Sequence, residues 1–382
     1  MVPPACPGTT HRRHARPNAT CHWRRGAPSR SGTRRSVSPP AGPAVRSLGV
    51  ATRADRSRPR ATTRSRRRRR AARRLPVAGA LVIAAVVGAG AAWNHLAGPA
   101  AAAGPVPVDA SRFASGACML LPPTGGDRHV TVFLDAGHGG PDPGGVGTAE
   151  SGQQVGESSV NLGVELDAAT GLRARGFTVV VSRTADTTVL RLGPADTDGS
   201  LLTVLGVHDD VAARDQCADE AHAAALVGIY MDAGGSPSEA GSVTTYDTAR
   251  TFAAANERLA TLLQRDVLAA MNARGWDIPD DGVVPDTAEG SVSGDPSTGG
   301  LAAKAAAYPH LLLLGPAEAG YFTSPSRMPG AVIEPLYLTD PFEASIAATA
   351  TGQSVIAQGI TDAVVQYFAP VPARSGTGAG GR

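Results

Sequence analysis

Three side chains in this sequence have the chemical types and the context for metal-assisted hydrolysis. His138 lies in VFLDAGHGGPDPGGVG, directly after a short apolar run, and Glu157 follows in GESSVNL. Glu334 lies inside the apolar run AVIEPLYL, where an idle, unpaired carboxylate would be costly. A hydrolytic zinc site needs about three nitrogen or oxygen ligands and an open position for water, and a carboxylate can serve as general base. The plainer alternatives are a surface histidine in a turn and a glutamate that favours a helix N-terminus.

Alternating strand and helix patterns predict the elements that must position these side chains. Apolar runs predict strands at 129–135, 177–182 and 226–230, and helical spacing predicts helices at 159–176, 211–223, 252–273 and 341–368. A strand, a helix and a strand joined by a right-handed crossover favour a largely parallel sheet. We therefore predict an α/β fold, a single three-layer domain with a twisted sheet flanked by helices. Ligands bind such sheets beyond the carboxyl ends of the strands, which is where His138, Tyr230 and Glu334 fall.

Two segments between these elements are predicted as loops. The stretch 184–210 is polar, and the stretch 277–300 is acidic and rich in glycine. The second loop lies between strands that carry candidate site residues. We therefore consider it as a lid over the site, with an ordinary surface loop as the alternative.

The chain changes composition near residue 75. Residues 1–74 contain 21 arginines and one acid, which predicts a disordered leader; part of it can also be interpreted as lying upstream of the true start site. The charge-free stretch LPVAGALVIAAVVGAGAAW predicts a membrane anchor within 75–103, with a cleaved signal peptide or a buried helix as alternatives. The arginines before it predict export of the folded part, 104–370, which a flexible tail, 371–382, follows.

Charge and cysteine content narrow the class of function. Beyond residue 74 the sequence has 15 basic and 32 acidic groups, a net of about −17, which disfavours nucleic acid as a partner. Lys304 is the only lysine and no G-x-S-x-G segment occurs, so neither a phosphate loop nor a serine-hydrolase elbow is predicted. Cys118 and Cys217 are an even pair in the exported part. We expect a disulfide between them, with two free thiols as the alternative.

The segments DAGHGG, GESSVNL and SRTAD, followed by MPGAVIEPLYLTDP, resemble the zinc-dependent N-acetylmuramoyl-L-alanine amidases of type 3. The resemblance extends approximately from residue 131 to residue 368. It implies a hydrolase that cleaves the amide bond between N-acetylmuramic acid and L-alanine in peptidoglycan with a zinc-activated water. By resemblance, His138 is the first zinc ligand, Glu157 is the second, and Glu334 is the general base that passes a proton to the leaving amine.

The third ligand position departs from the resemblance. The family carries a histidine at the end of the third strand, and the matching segment GIYMDAGG has Tyr230 there. Tyr230 could bind zinc as a phenolate, although an ordinary pKa of about 10 makes it a weak ligand. Asp232 lies two residues on, hence on the same face of an extended strand, and could supply an oxygen ligand. His208 and His222 could also reach the site, but a surface or packing role is expected for both.

The changed ligand leaves two functions open. The first is a zinc-dependent cell-wall hydrolase; the alternative is a catalytically impaired amidase-like domain that binds peptidoglycan or regulates a partner hydrolase. Three aromatic residues are placed near the site to pack on sugar or peptide, or else belong to the core: Tyr321, Phe322 and Tyr337. The expected location is the cell membrane with an extracytoplasmic domain, or the cell wall if the apolar segment is cleaved. A regulatory protein is considered as a further partner.

Overall fold

The computed structural model describes residues 104–288 and 300–370. The predicted leader, the predicted membrane segment and the predicted tail lie outside these ranges, as does part of the loop predicted at 277–300. None of the helices within the described ranges is both long enough and apolar enough to cross a membrane. All of the candidate site residues named above fall within the described part.

Twelve strands occur in the described residues. In chain order they are β1 (Val106–Pro107), β2 (Ala117–Leu121), β3 (Thr131–Ala136), β4 (Val146–Thr148), β5 (Gln154–Gly156), β6 (Thr178–Arg183), β7 (Thr197–Asp198), β8 (Leu201–Leu202), β9 (Ala225–Ile229), β10 (Ser242–Tyr246), β11 (Asp280–Pro285) and β12 (Gly330–Glu334). Eight of them form one sheet in the order β1-β2-β6-β3-β9-β12-β10-β11. The other four form two small antiparallel pairs, β4–β5 and β7–β8.

The large sheet is mixed rather than largely parallel. Its four central strands, β6, β3, β9 and β12, are parallel to one another, as the crossover pattern predicts. On one side β2 is antiparallel to β6, and on the other β10 is antiparallel to β12 and parallel to β11. Because β10 and β11 run against the central strands, their carboxyl ends lie at the edge where β3, β9 and β12 begin.

Six α-helices accompany the sheet in the described residues. They are α1 (Glu157–Ala174), α2 (Val204–Glu220), α3 (Ala253–Asn272), α4 (Gly300–Ala307), α5 (Pro341–Ala347) and α6 (Ala350–Tyr367). The predicted start of α2 was wrong by seven residues, because the Thr203 side chain caps the helix by accepting the Gly206 N–H at 3.0 Å. The single helix predicted at 341–368 is two helices, since Thr349 caps α6 through the Gly352 N–H at 2.9 Å.

Side chains of the central strands alternate between two apolar clusters. Val132 and Leu134 of β3 belong to the larger cluster, which includes residues of α1, α3 and α6, whereas Phe133 belongs to the smaller one, which includes residues of α2. This period of two is the pleat of a strand buried on both faces. The helices therefore form layers on both sides of the sheet, and the prediction of a three-layer α/β domain is confirmed in this coarse form.

The prediction of a loop at 277–300 is partly wrong, because the segment contains a strand and a short helix. Asp280–Pro285 forms β11, and Asp286–Ala288 forms a short 3₁₀ helix. Asp286 follows β11 and therefore lies at the sheet edge opposite the carboxyl ends of β3, β9 and β12. The described residues of this segment thus lead away from the candidate site, and the rest of the predicted lid, 289–299, lies outside the described residues.

The expected disulfide is present. Cys118 of β2 is bonded to Cys217 of α2, and the two residues are 99 positions apart. Both are fully buried in the smaller apolar cluster. The bond therefore joins α2 covalently to the sheet.

We expect loss of this disulfide to lower stability strongly. In the chain-entropy account a loop of this length contributes up to about 4.7 kcal/mol, with about 2–5 kcal/mol typical of native bonds. The double variant Cys118→Ala/Cys217→Ala should therefore have a Tm lower by about 5–15 °C, measured by circular dichroism. A reductant should lower the Tm of the parent and leave that of the variant unchanged; equal Tm values for both proteins would contradict the expectation.

Candidate active site

The loop that follows β3 presents His138 at the carboxyl edge of the sheet. Its backbone is in the left-handed region, with φ of 63°, a conformation that costs energy in a residue other than glycine. The ring Nδ1 lies 2.8 Å from Asp142 Oδ2, and Nε2 lies 3.2 Å from Glu157 Oε2. Burial opposes protonation of the ring, but the charges of Glu157 and Asp142 outweigh it and hold the pKa of His138 well above its ordinary value.

Glu157 is the first residue of α1 and is buried. Its Oε2 accepts the backbone N–H of Gly145 at 2.7 Å, and its Oε1 accepts that of Met231 at 3.0 Å. A Cβ atom at Gly144 would lie 2.6 Å from Glu157 Oε2 and 2.7 Å from the His138 ring. Glycine at 144 thus permits the close approach that brings His138 and Glu157 together.

Tyr230 follows β9 and donates its hydroxyl to Asp135 Oδ2 at 3.1 Å. Its ring meets the His138 ring edge-on, with centroids 5.5 Å apart. Burial, and then the charge of Asp135, raise the pKa of Tyr230 well above its ordinary value. In this arrangement the phenol acts as a hydrogen-bond donor to Asp135.

Glu334 and Asp232 lie at the same edge of the sheet. Ile333 of β12 is paired with Ile229 of β9, which places Glu334 beside Tyr230 in the neighbouring strand. Because side chains alternate between the two faces of a strand, Glu334 and Tyr230 both lie on the sheet face that carries the smaller apolar cluster. Asp232 forms a parallel bridge with Tyr337 just beyond this point. Glu334 is 6% exposed and Asp232 is 4% exposed, so both residues are buried.

The sequence from residue 132 to residue 366 matches the profile of a protein family described as N-acetylmuramoyl-L-alanine amidase. The chain belongs to this family. Among curated proteins it is similar to the N-acetylmuramoyl-L-alanine amidase LytC of Bacillus subtilis (strain 168), with 28% identity over 239 residues. That alignment covers 62% of this chain and 35% of LytC. The chain therefore matches about a third of the length of this relative.

Solved structures of amidases are also similar to this amidase domain. One is the CwlD amidase from Clostridioides difficile in complex with the GerS lipoprotein, at 18% identity and a TM-score of 0.45, covering 62% of this chain and 98% of that chain. Another is the N-acetylmuramoyl-L-alanine amidase from Clostridium difficile 630, at 24% identity and a TM-score of 0.41, covering 62% of this chain and 96% of that chain.

The residues of the amidase domain fit two of the three zinc positions that the family implies. Ligands of tetrahedral zinc at about 2.0–2.1 Å lie about 3.3 Å from each other, and His138 Nε2 and Glu157 Oε2 are 3.2 Å apart. The Asp142 carboxylate on Nδ1 is the partner that a metal-binding histidine usually has. Tyr230 does not fit the third position, because its hydroxyl is committed to Asp135.

His208 and the aromatic residues near it lie elsewhere. His208 is on α2, where Nδ1 lies 2.7 Å from Asp209 and Nε2 lies 2.9 Å from the carbonyl oxygen of Tyr321. Its ring packs against Tyr321 and Phe322. These contacts give His208 the packing role that was expected, and they assign Tyr321 and Phe322 to a small apolar cluster rather than to the site.

A buried ionic network beneath the His138 loop was not predicted from the sequence. Arg214 of α2 donates to Asp135 Oδ1 at 2.6 Å, to Asp210 Oδ2 at 2.7 Å and to the carbonyl oxygen of His138 at 2.9 Å. Burial opposes its charge, but Asp135 and Asp210 hold the pKa of Arg214 well above its ordinary value. The available signal was the spacing of Asp210 and Arg214, which are four residues apart on one helix face.

Glu165 of α1 supports the same loop from the other side. Its Oε1 accepts the backbone N–H of Ala136 at 3.2 Å and of Ser182 at 2.7 Å. Its Oε2 is buried and has no hydrogen-bond partner among the residues that the structure describes. Burial raises the pKa of Glu165 to about 8, against the opposing charge of Arg183. The residue is therefore held as a neutral acid near neutral pH.

This raised pKa should make stability fall as pH rises. The folded state retains a proton that the unfolded chain loses at a pKa of about 4.3, so the free energy of unfolding falls by up to about 1.4 kcal/mol per pH unit until the pH passes the folded-state pKa of about 8. Burial also raises the pKa of Glu343, to about 7, which adds to the same trend. Glu165→Gln, which mimics the neutral acid, should remove its part of the slope.

Urea unfolding at pH 5.5, 7.0 and 8.5 measures this effect. The exposed Glu257 on α3 supplies the control variant Glu257→Gln, which should keep the slope of the parent. Identical slopes for the parent and the Glu165→Gln variant would show that Glu165 is ionised in the folded state.

Proposed function

We propose that this chain hydrolyses the amide bond between N-acetylmuramic acid and L-alanine in peptidoglycan. The observation that carries the proposal is the family match over residues 132–366, which includes His138, Glu157 and Glu334. These three residues lie at one edge of the sheet, beyond the carboxyl ends of parallel strands. That edge is where sheets of this type place their chemistry.

His138 and Glu157 are proposed to hold zinc, which supplies a Lewis acid for hydrolysis when it is bound. When Nδ1–H of His138 donates a hydrogen bond to Asp142 Oδ2, at 2.8 Å, Nε2 is left as the ligand atom. The N–H groups of Gly145 and Met231 fix the Glu157 carboxylate. These hydrogen bonds therefore hold both side chains in position for a zinc ion.

Glu334 is proposed as the general base. It would take a proton from the attacking water and deliver it to the nitrogen of the leaving L-alanine, as the new carboxyl group forms on the muramic acid. Its position at the end of β12, beside Tyr230, and its burial at 6% exposure support this role. Asp232 is proposed as the ligand that takes the place of the missing histidine.

A second function is favoured by one observation. The Tyr230 hydroxyl is bonded to Asp135, which Arg214 also binds, so the third ligand position is integrated in a stable hydrogen-bonded network. A domain of this kind would bind peptidoglycan in the amidase groove, or regulate a partner hydrolase, without cleaving the substrate.

Two measurements distinguish the hydrolase from the binding module: bound zinc and peptidoglycan hydrolysis. Both are made on the purified full chain and on the variants His138→Ala and Tyr230→His. Zinc is measured by mass spectrometry, and cleavage is measured as release of amino groups from purified peptidoglycan. Zinc that is lost in the His138→Ala variant belongs to this site. Tyr230→His restores the family's third ligand, while Arg214 still compensates Asp135.

Each outcome has a clear meaning. About one zinc lost on His138→Ala, together with cleavage by the parent, is the result that the hydrolase requires. If cleavage and His138-dependent zinc occur only in the Tyr230→His variant, while the parent sediments with peptidoglycan, the domain is a binding module. Absence of both cleavage and sedimentation in every variant would contradict both functions.

We also propose that the amidase domain acts outside the cytoplasm, either held at the membrane or released to the cell wall. The Cys118–Cys217 disulfide supports an oxidising compartment. Fractionation of cells that express the full chain tests this: recovery of the protein in the cytoplasm with reduced cysteines would contradict it.

A further inference from the structure

A second group of metal-binding side chain types lies at the sheet edge opposite His138. Asp247 follows β10, Asp286 follows β11, and His310 lies in the turn after α4. One ligand atom from each of the three residues lies within 4.8 Å of the others. Asp247 is level with the first residue of β12, Gly330, because β10 and β12 are antiparallel. The group is therefore separate from the His138 site, which lies beyond the end of β12.

The spacing of these atoms suits one metal ion. His310 Nδ1 lies 2.9 Å from Asp247 Oδ2 and 3.1 Å from Asp286 Oδ2. Ligands of tetrahedral zinc at about 2.0–2.1 Å are separated by about 3.3 Å, so a small outward shift of the side chains would admit the ion. Asp247 and Asp286 are fully buried and the His310 side chain is 13% exposed.

Asp247 provides a second, independent indication of a ligand. Its Oδ1 accepts the backbone N–H groups of Ala249 at 2.8 Å and Arg250 at 2.7 Å. These two bonds fix the carboxylate so that Oδ2 is directed into the group. Oδ2 is buried, and among the described residues no hydrogen bond of acceptable geometry reaches it. Its ion-pair partner is His310 Nδ1 at 2.9 Å, which carries charge only when the imidazole is protonated. A cation would satisfy this oxygen.

Charge also favours a cation. Among the residues that the structure describes, both carboxylates form their ion pairs with His310 alone. The adjacent Arg250 directs its guanidinium to the carbonyl oxygens of Leu314 at 3.2 Å and Gly315 at 2.9 Å, not to either acid. Two buried carboxylates therefore face one imidazole, and a divalent cation would balance them.

We propose that Asp247, Asp286 and His310 bind a divalent metal ion, zinc in preference to magnesium or calcium. An imidazole nitrogen with two carboxylate oxygens is a zinc ligand set, whereas magnesium and calcium take oxygen ligands. The ion has a structural role. The ion would join Asp286 after β11 and His310 after α4 to Asp247 at the end of β10, and its binding free energy would add to folding.

The test uses the full chain carrying His138→Ala, so that zinc at the first site does not contribute. After treatment with a chelator, the protein is titrated with Zn²⁺, and bound zinc and Tm are measured. We expect one zinc per chain and a Tm raised by about 5 °C or more at saturating zinc. Adding Asp286→Asn should abolish both effects, whereas Asp280→Asn, at an exposed position of β11, should leave both unchanged.

The proposal is overturned if the His138→Ala chain binds no zinc, or if zinc stays bound after Asp286→Asn is added. In either case the three side chains would form a hydrogen-bonded cluster without a metal. A further variant guards against misfolding of the asparagine variant. His310→Cys, in the same His138→Ala chain, replaces nitrogen by a thiolate ligand. With Co²⁺ it should show a thiolate-to-cobalt absorption band that the parent lacks, and absence of the band counts against the site. Failure of hydrolysis in the parent chain has no bearing on these outcomes.

Discussion

Replacing Arg214 by methionine should lower the free energy of unfolding by about 3–5 kcal/mol. The side chain is 1% exposed and its two carboxylate partners, Asp135 and Asp210, are buried with it. Methionine fills a similar volume but leaves both acids without a cation, and it removes the donor to the carbonyl oxygen of His138. Breaking a buried ion pair from one side is costly because the remaining charge is uncompensated.

Urea unfolding of the Arg214→Met chain measures this loss. The matched control is Arg112→Met, since Arg112 is 53% exposed in its ion pair with Glu220 and such pairs contribute at most about 1 kcal/mol. Adding Asp135→Asn to Arg214→Met should recover part of the lost free energy of unfolding, because one of the two uncompensated buried carboxylates is removed. Equal destabilisation by Arg214→Met and Arg112→Met would show that the network does not stabilise the fold.

Replacing Glu334 by glutamine should reduce kcat for peptidoglycan cleavage by about 10²- to 10⁴-fold, the range for loss of a general base. This expectation rests on the proposed hydrolase function. The amide keeps the shape of the side chain but cannot accept the proton of water, so the affinity for peptidoglycan and the His138-dependent zinc should persist. A rate that falls in proportion to zinc content would instead assign Glu334 to metal binding.

Single-turnover cleavage assays at matched zinc content measure this effect. Glu257→Gln changes an exposed glutamate on α3 in the same way and should leave the rate unaltered. A Glu334→Gln chain that cleaves peptidoglycan at the rate of the parent would contradict the assignment.

The sequence predicted the central strands well because their patterns are simple. The strands predicted at 129–135, 177–182 and 226–230 agree with β3, β6 and β9 to within two residues. These segments are short, apolar and β-branched, as strands buried on both faces are. Their parallel order places His138, Tyr230 and Glu334 at one edge, which the rule for carboxyl ends of strands predicts.

The strands β10 and β11 were not predicted from the sequence, because their polar residues interrupt the apolar pattern of a buried strand. Thr244 and Thr245 of β10 are buried, and Thr244 donates its hydroxyl to Gln264 of α3 at 2.8 Å. The β-branched shape suits a strand, while the hydroxyl finds its acceptor only in the tertiary structure. β11 begins with two aspartates and a glycine, which are typical of a loop. Without these strands, the reversal of direction at the end of the sheet could not be predicted.

The network around Arg214 was missed for a different reason. Asp210 and Arg214 have the spacing of an ion pair on the exposed face of a helix, and local sequence does not show which face of α2 meets the sheet. The burial of the pair depends on Asp135, 79 positions away from Arg214. The role of Tyr230 as a donor to the same aspartate is likewise a property of the assembled fold.

The bond between Cys118 and Cys217 has a consequence for the active loop. Cys217 is three positions from Arg214, so the two residues lie on neighbouring turns of the same face of α2. The covalent link therefore anchors the part of the helix that holds the His138 carbonyl oxygen. Oxidation of two cysteines outside the catalytic group thus adds a covalent constraint to the helix that supports the left-handed backbone of His138.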